Sequence, residues 1–199
     1  MIKPTSKNTC ELVMSGGEFC GNACRAATIF MYQKYGSKKS QITINGIKVS
    51  GFCDNVKSEI SLKRKDIIVS VKKGVLNGGF YTLVIQKQMT QVVIVEDSKL
   101  YKSEPTTNYA QQIKEQLGLD DKAVGVIFLS KNNEMKPFVW VKDIDTFYEE
   151  TACGSGSISS ALAIQKSQNK KYYITQPSGV VFEIKLSKNT IVISGEWKQ

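Results

Sequence analysis

Phe19-Cys20-Gly21-Asn22 and, 133 residues later, Ala152-Cys153-Gly154-Ser155 are the stretches whose reading decides the fold. Each runs into a segment of small and apolar residues, 23–35 after the first and 157–168 after the second. Both segments read as mostly buried helices, the first closed by Gly36 at its C-cap. They align without a gap: Ala26-Ala27 falls on Ser159-Ser160, and Ile29 on Leu162. A hairpin follows each helix. The first joins 41–44 to 47–49 through Asn45-Gly46, the signature of a type I′ turn. The second joins 172–175 to 180–186 through Gln176-Pro177-Ser178-Gly179. A repeated unit of strand, Cys-Gly-polar step, buried helix and hairpin reads as an internal duplication.

Working outward, a short strand at 10–14 enters the Ser15-Gly16-Gly17 turn. Further strand patterns lie at 59–62, 67–71, 80–85, 92–95, 124–129 and 137–141, with an amphipathic helix at 108–117. The expected fold is α+β, with two pseudo-symmetric lobes. Each lobe is a mixed or antiparallel sheet wrapped around a buried helix, and the active site lies in the cleft between them. Residues 1–66 form the first lobe and 67–190 the second. Residues 191–199 are a C-terminal segment expected to return to the first lobe.

The chain has 199 residues and is 41% apolar. No window approaches the ~18 apolar residues of a membrane span. Met1-Ile2-Lys3-Pro4 is not followed by the apolar core of a signal peptide. A cytoplasmic location away from membranes is expected. The net charge is +9 and the lysines are spread along the chain, densest at Lys63-Arg64-Lys65. No basic-aromatic interleaving or zinc-finger spacing accompanies them, so a solvated basic surface is expected rather than a nucleic-acid site.

There is no histidine. That removes the usual general base, the usual zinc ligand and every His-based triad. Proton transfer near neutral pH falls to Cys, Asp, Glu, Lys or Tyr. Five cysteines, an odd number without a secretory signal, are expected to be free thiols. Cys24, one turn after Cys20, reads as a small core residue, and no metal site is expected. Cys10 and Cys53 read as packing residues.

Cys20 and Cys153 each stand just before a helix, where backbone N–H groups lack partners and the helix dipole is positive. Both effects are expected to draw the thiols toward neutrality. The same N–H groups, with the Asn22 and Ser155 side chains, suit a carboxylate, and Gly21 and Gly154 allow close approach. Two such helix starts facing each other would hold one α-carboxylate with a sulfur on each side of the α-carbon. That arrangement suits a two-base inversion. Glu18 and Glu150 are candidates to orient the thiols or bind an amine. Trp140 and Tyr148 precede the second motif and are candidates for the lining, with core packing the expected role of Trp140.

On Glu18-Phe19-Cys20-Gly21-Asn22 and Glu150-Thr151-Ala152-Cys153-Gly154-Ser155-Gly156, the chain resembles the diaminopimelate epimerase and proline racemase-like family of amino-acid racemases that use no pyridoxal phosphate. The run from Leu12 to Asn22 and the Gln176-Pro177-Ser178-Gly179 turn look closest to the histidine racemases of opine-metallophore biosynthesis. The resemblance implies an isomerase without a cofactor, with Cys20 and Cys153 as catalytic bases. It implies that Ser15, Gly21, Asn22, Glu150, Gly154 and Ser155 bind a small amino-acid substrate. Three departures stand out. No arginine segment precedes the second motif, which disfavours diaminopimelate, and the Asn-Pro-His segment is replaced by 88–91. Family members carry a further strand-helix unit before the first motif, so the first lobe is expected to be N-terminally incomplete, which leaves a homodimer open as the assembly. The chain also stops slightly early, at Trp197-Lys198-Gln199. The alternative reading is a shortened paralogue that binds an amino acid without turnover.

Overall fold

The computed structural model describes residues 1–14, 17–167 and 169–197. The first cysteine unit opens an eight-stranded sheet. β1 (Ile2–Pro4) pairs antiparallel with β2 (Thr9–Leu12). The chain then crosses over through α1 (Gly21–Tyr35) and returns parallel to β2 as β3 (Lys39–Ile44). α1 stops where Gly36 takes φ 69° and its N–H reaches the Tyr32 carbonyl, a left-handed cap natural to glycine. Asn45 (φ 49°) and Gly46 (φ 76°) make the expected turn into β4 (Ile47–Cys53), and β5 (Lys57–Lys63) follows.

The second sheet has six strands. They are β6 (Ile68–Leu76), β7 (Gly79–Gln86), β8 (Met89–Val95), β9 (Ala123–Leu129), β10 (Met135–Val141) and β11 (Thr146–Glu149). Their order is β11-β10-β9-β8-β7-β6. α2 (Thr107–Gln116), capped by the Thr106 hydroxyl, crosses over between the parallel strands β8 and β9. The second cysteine unit adds α3 (Gly154–Ala163), β12 (Lys171–Thr175), β13 (Val181–Leu186) and β14 (Thr190–Glu196). β14 pairs antiparallel with both β13 and β5. The first sheet therefore reads β1-β2-β3-β4-β5-β14-β13-β12. One parallel bridge, Glu134 to Thr175, ties β12 back beside β10, as β3 lies parallel to β2 in the first unit.

Burial follows coverage. β3 alternates exposed and buried along its length, because only one face meets the core. β9 is buried at all seven positions, sandwiched between α2 and α3. The two cysteine helices differ from the shared expectation. α3 is buried from Gly154 to Leu162, packed by β7, β8 and β9 on one side and β12, β13 and β14 on the other. α1 packs mainly on β2 to β5, so Ala26 is exposed where its counterpart Ser159 is fully buried. α3 also ends earlier than residue 168. Lys166 and Ser167 offer no apolar face, Asn169 takes φ 62°, and Gln168 lies outside the described residues.

Candidate active site

The two cysteines occupy the same local structure. Cys20 (φ −123°, ψ 108°) and Cys153 (φ −138°, ψ 105°) are the N-caps of α1 and α3. Their sulfurs accept from the third N–H of their helices, Ala23 at 3.4 Å and Gly156 at 3.3 Å. Their carbonyls accept the first helical bonds, from Cys24 N at 3.1 Å and Ser157 N at 2.9 Å. The sulfur takes the place of the oxygen that usually caps a helix. The first-turn N–H groups of Gly21 and Asn22, and of Gly154 and Ser155, have no intrahelical acceptor.

The two helix starts abut. A Cβ on Gly154 would stand 3.0 Å from the Asn22 nitrogen and 3.0 Å from the Gly21 Cα. A Cβ on Gly21 would stand 3.2 Å from the Gly154 Cα. The Asn22 amide crosses this junction and donates to the Ala152 carbonyl at 2.7 Å. Beside it lies a cavity of about 70 Å³, lined in part by Glu18, Cys20, Met89, Glu150, Cys153 and Ser155. Larger grooves of about 580 and 800 Å³ lie elsewhere, around Lys131 and Lys166 and around Lys63 to Lys65. Their ionisable side chains are surface lysines and carboxylates with Arg64, and neither contains a cysteine, so the smaller enclosed cavity is the candidate site.

Electrostatics correct one expectation. Burial pushes the Cys20 thiol up; the Ala23 N–H draws it down, and the Glu150 and Glu18 charges push it up further. Cys153, 4% exposed, is driven well above the usual thiol range by burial first and then by Glu150, against the Ser155 hydroxyl and Gly156 N–H. The helix starts thus act in the expected direction, but desolvation outweighs them. Glu150 is itself raised by burial; the Cys153 thiol draws it down and Glu18 pushes it up. Glu150 raises the cost of ionising both thiols, so Cys20, Glu150 and Cys153 titrate as a set.

The structure brings together Cys20, Asn22, Glu150, Cys153, Gly154 and Ser155 at the cavity, with Gly21 packed behind Gly154. Ser15 lies outside the described residues. Two side chains face differently from expectation. The Asn22 amide nitrogen is spent on Ala152, and the Ser155 hydroxyl lies between the Cys153 sulfur (3.5 Å) and the Gln91 amide (3.3 Å). Trp140 and Tyr148 stay out of the lining. Strand alternation turns Val139 and Val141 inward and Trp140 to the other face, where its Nε1 donates to Asp145 and Lys114 lies 3.7 Å over its ring. Sequence reasoning missed three buried glutamines around α3. Gln86 donates to the Ser155 carbonyl and Ser159. Gln176 accepts from Cys153 N and donates to Ser157 and the Ile174 carbonyl. Gln91 is the third. For Gln86 and Gln91, a polar residue in an otherwise apolar strand was the available signal; Gln176 stands in the turn after β12. Among the described residues, no group of three or more Cys, Asp or Glu side chains is placed to hold a metal ion. Nor is any helix of the described residues long and apolar enough to cross a membrane.

Known proteins share the family and the fold. The family model described as the histidine racemase CntK N-terminal domain matches residues 2–194. A histidine racemase of Fusobacterium nucleatum is 28% identical over 181 residues, covering 85% of this chain and 68% of the relative. One from Staphylococcus aureus is 26% identical over 187 residues, covering 87% and 67%. Two solved structures share the fold at low identity. A putative phenazine biosynthesis PhzC/PhzF protein of Clostridium difficile gives a TM-score of 0.57 at 12% identity, covering 96% of this chain and 76% of its own. A predicted epimerase of Pseudomonas aeruginosa gives 0.63 at 10%, covering 98% and 79%. The match to the family model spans nearly the whole chain, which therefore belongs to the histidine racemase CntK N-terminal domain family.

Proposed function

We propose that this protein is an amino-acid racemase or epimerase that inverts the α-carbon without a cofactor, with Cys20 and Cys153 as its two bases. One observation carries the reading: two cysteine N-caps, on abutting helix starts, share one enclosed cavity. The names of the relatives point to the same reaction class and make histidine the first substrate to test.

The chemistry follows from the geometry. An α-carboxylate accepts from the first-turn N–H groups of Gly21, Asn22, Gly154 and Ser155, which have no intrahelical acceptor and lie at the positive ends of two helices. Glu150 and Glu18 offer acceptors to the α-ammonium. One sulfur lies on each side of the α-carbon. A thiolate removes the proton from one face, and the opposite thiol delivers its own to the other. The helix starts stabilise the charge that develops on the carboxylate. Raised thiol affinities serve this exchange: they keep one sulfur protonated and make the other a strong base. The described lining carries Glu18 and Glu150 but no cationic side chain, which disfavours a substrate with a second carboxylate. A cavity of about 70 Å³ is smaller than the ~300 Å³ at which ligand sites begin, so the cleft opens to admit substrate.

The test is incubation of the protein with L-histidine in D₂O. D-histidine carrying α-deuterium is the expected product. Absence of α-deuterium from histidine and from every member of an L-amino-acid panel refutes the proposal. Both thiols and their helix starts are intact, so no observation favours the reading of a paralogue without turnover.

A further inference from the structure

We propose that Gln91 is a positioning residue: its amide holds the Ser155 hydroxyl so that the hydroxyl proton points at the Cys153 sulfur. The inference rests on the racemase reading of the cleft and assigns a role to a residue that does not itself line the cavity.

Gln91 lies on β8 and is fully buried. Its Nε2 donates to the Ser155 Oγ at 3.3 Å and to the Met89 sulfur at 2.8 Å. A serine hydroxyl has one proton and two lone pairs. With the Gln91 amide occupying a lone pair, that proton needs an acceptor, and the oxygen's other partner among the described residues is the Cys153 sulfur at 3.5 Å. A hydroxyl donating to sulfur favours the thiolate, the direction in which Ser155 acts on Cys153. The charged and titratable groups facing this sulfur are Glu150 beside it and Glu18 and Cys20 in the same cavity. The Glu150 charge and its hydrogen bond to the thiol both oppose thiolate formation. The hydroxyl and the Gly156 N–H are what offset them.

The surrounding sheet is built for this amide. Gln91 pairs across β8 and β9 with Gly125, and a Cβ on Gly125 would fall 1.8 Å from the Gln91 Oε1 and 2.6 Å from its Cδ. Any other residue at position 125 would push the amide out of this placement. Gln86, also buried, clamps the Ser155 carbonyl at 3.0 Å and Ser159 at 2.8 Å, which fixes the backbone that carries the hydroxyl. The Gln91 Oε1 has no partner among the described residues. Burying an unmatched acceptor costs stability, so what the nitrogen end does must justify the residue.

The equivalent position of the first unit lacks this device. Asn22, 133 residues before Ser155, sends its amide to the Ala152 carbonyl, not to the Cys20 sulfur. Cys20 is therefore an internal control in the same molecule.

The experiment measures labelling of each cysteine by a small alkylating agent over a range of pH, resolved by mass spectrometry. It needs no turnover, so its failure is distinct from failure of the racemase reading. Gln91→Leu is expected to slow Cys153 labelling about tenfold at a fixed pH, the scale of one hydrogen bond to a charged group, and to leave Cys20 within about twofold. Gly125→Ala, which displaces the amide without removing it, is expected to do the same. In a Ser155→Ala background, Gln91→Leu is expected to add nothing. Equal slowing of both cysteines, an unchanged Cys153, or effects that multiply in the double variant would overturn the proposal.

Discussion

Adding one methyl group at Gly154 tests whether the contact between helix starts sets the chemistry. The new Cβ would meet the Asn22 nitrogen at 3.0 Å, the Gly21 Cα at 3.0 Å and the Asn22 Oδ1 at 3.1 Å. Carbon atoms rest about 3.5–4.0 Å apart, so the helix starts must separate by roughly 0.5 Å or more. Two of the three atoms are backbone and cannot rotate away. Overpacking of this kind costs about 1–3 kcal/mol. Replacing glycine by alanine in a helix returns up to about 1 kcal/mol. The net loss, about 0–3 kcal/mol, corresponds to a fall in Tm of at most roughly 12 °C, and the fold survives. The chemistry does not survive equally. Misplacing reacting groups by about 1 Å costs on the order of 100-fold in rate, and the methyl group also occupies the carboxylate cradle. Gly154→Ala is therefore expected to lose α-deuteration of histidine by at least about 50-fold while remaining folded. NMR of the reaction in D₂O and a thermal melt measure the two quantities. A folded Gly154→Ala protein within threefold of the parent rate refutes the cradle between the helix starts.

Arg25 is 7% exposed, donates to the Ser58 and Gly195 carbonyls, stacks 4.6 Å over Phe182, and is drawn down to about 10 by burial. Arg25→Ala is expected to lower stability by about 3 kcal/mol, a drop in Tm of roughly 6–12 °C, through lost bonds and packing; an unchanged melt counts against it. Cys24 is fully buried, and burial followed by the Cys20 and Cys10 thiols pushes it far above the ordinary 9.0. An unfolded Cys24 releases a proton that the folded one keeps, so stability is present below about pH 9 and declines above it by about 1.36 kcal/mol per pH unit. Urea titrations at alkaline pH should show that slope, and Cys24→Ala should flatten it by one proton. Glu150 pushes up both Cys20 and Cys153, so Glu150→Gln should move the acidic limb of kcat/KM to lower pH while raising KM. A limb that stays fixed removes Glu150 from the thiol electrostatics. Cys153 is the more enclosed thiol and adjoins Glu150, whereas Cys20 is partly exposed, so limited alkylation near neutral pH should modify Cys20 first. Modification of Cys153 first contradicts this difference in enclosure and affinity.

The repeated unit was legible because its signals are local. Cys-Gly at a helix start, Gly36 at a helix end and Asn45-Gly46 between alternating strands each act through a few adjacent residues. The strands were legible where one face is buried, as in β3. What sequence reading missed depends on contacts distant in the chain. β11 was not foreseen, because its four residues are half-buried or exposed and acquire strand geometry only by pairing with β10. Two effects set the thiol affinities: the helix start, visible in sequence, and complete enclosure, which follows from the sheets closing over α3. The second is the larger and has no local signature. Gln91 likewise reads as an oddity in an apolar strand until Gly125 is seen opposite it.

The two cysteine units match in backbone and differ in the residue after the Cys-Gly step, and that difference bears on how one site can act on mirror-image substrates. The enantiomers of an amino acid are equal in energy, so kcat/KM must be equal in the two directions. That equality constrains the sum of the steps and not the proton affinity of each sulfur. Asn22 is free to brace the junction by bonding Ala152, while Ser155 turns to its own cysteine, without biasing the equilibrium. On the two-base proposal, what fixes which sulfur holds the proton in the resting protein is enclosure: burial and Glu150 raise Cys153 against the Ser155 hydroxyl. Cys153, enclosed beside Glu150, would then rest as the acid and Cys20 as the base. The Ser155 hydroxyl works against that assignment by favouring the Cys153 thiolate, and so eases the step in which Cys153 gives up its proton.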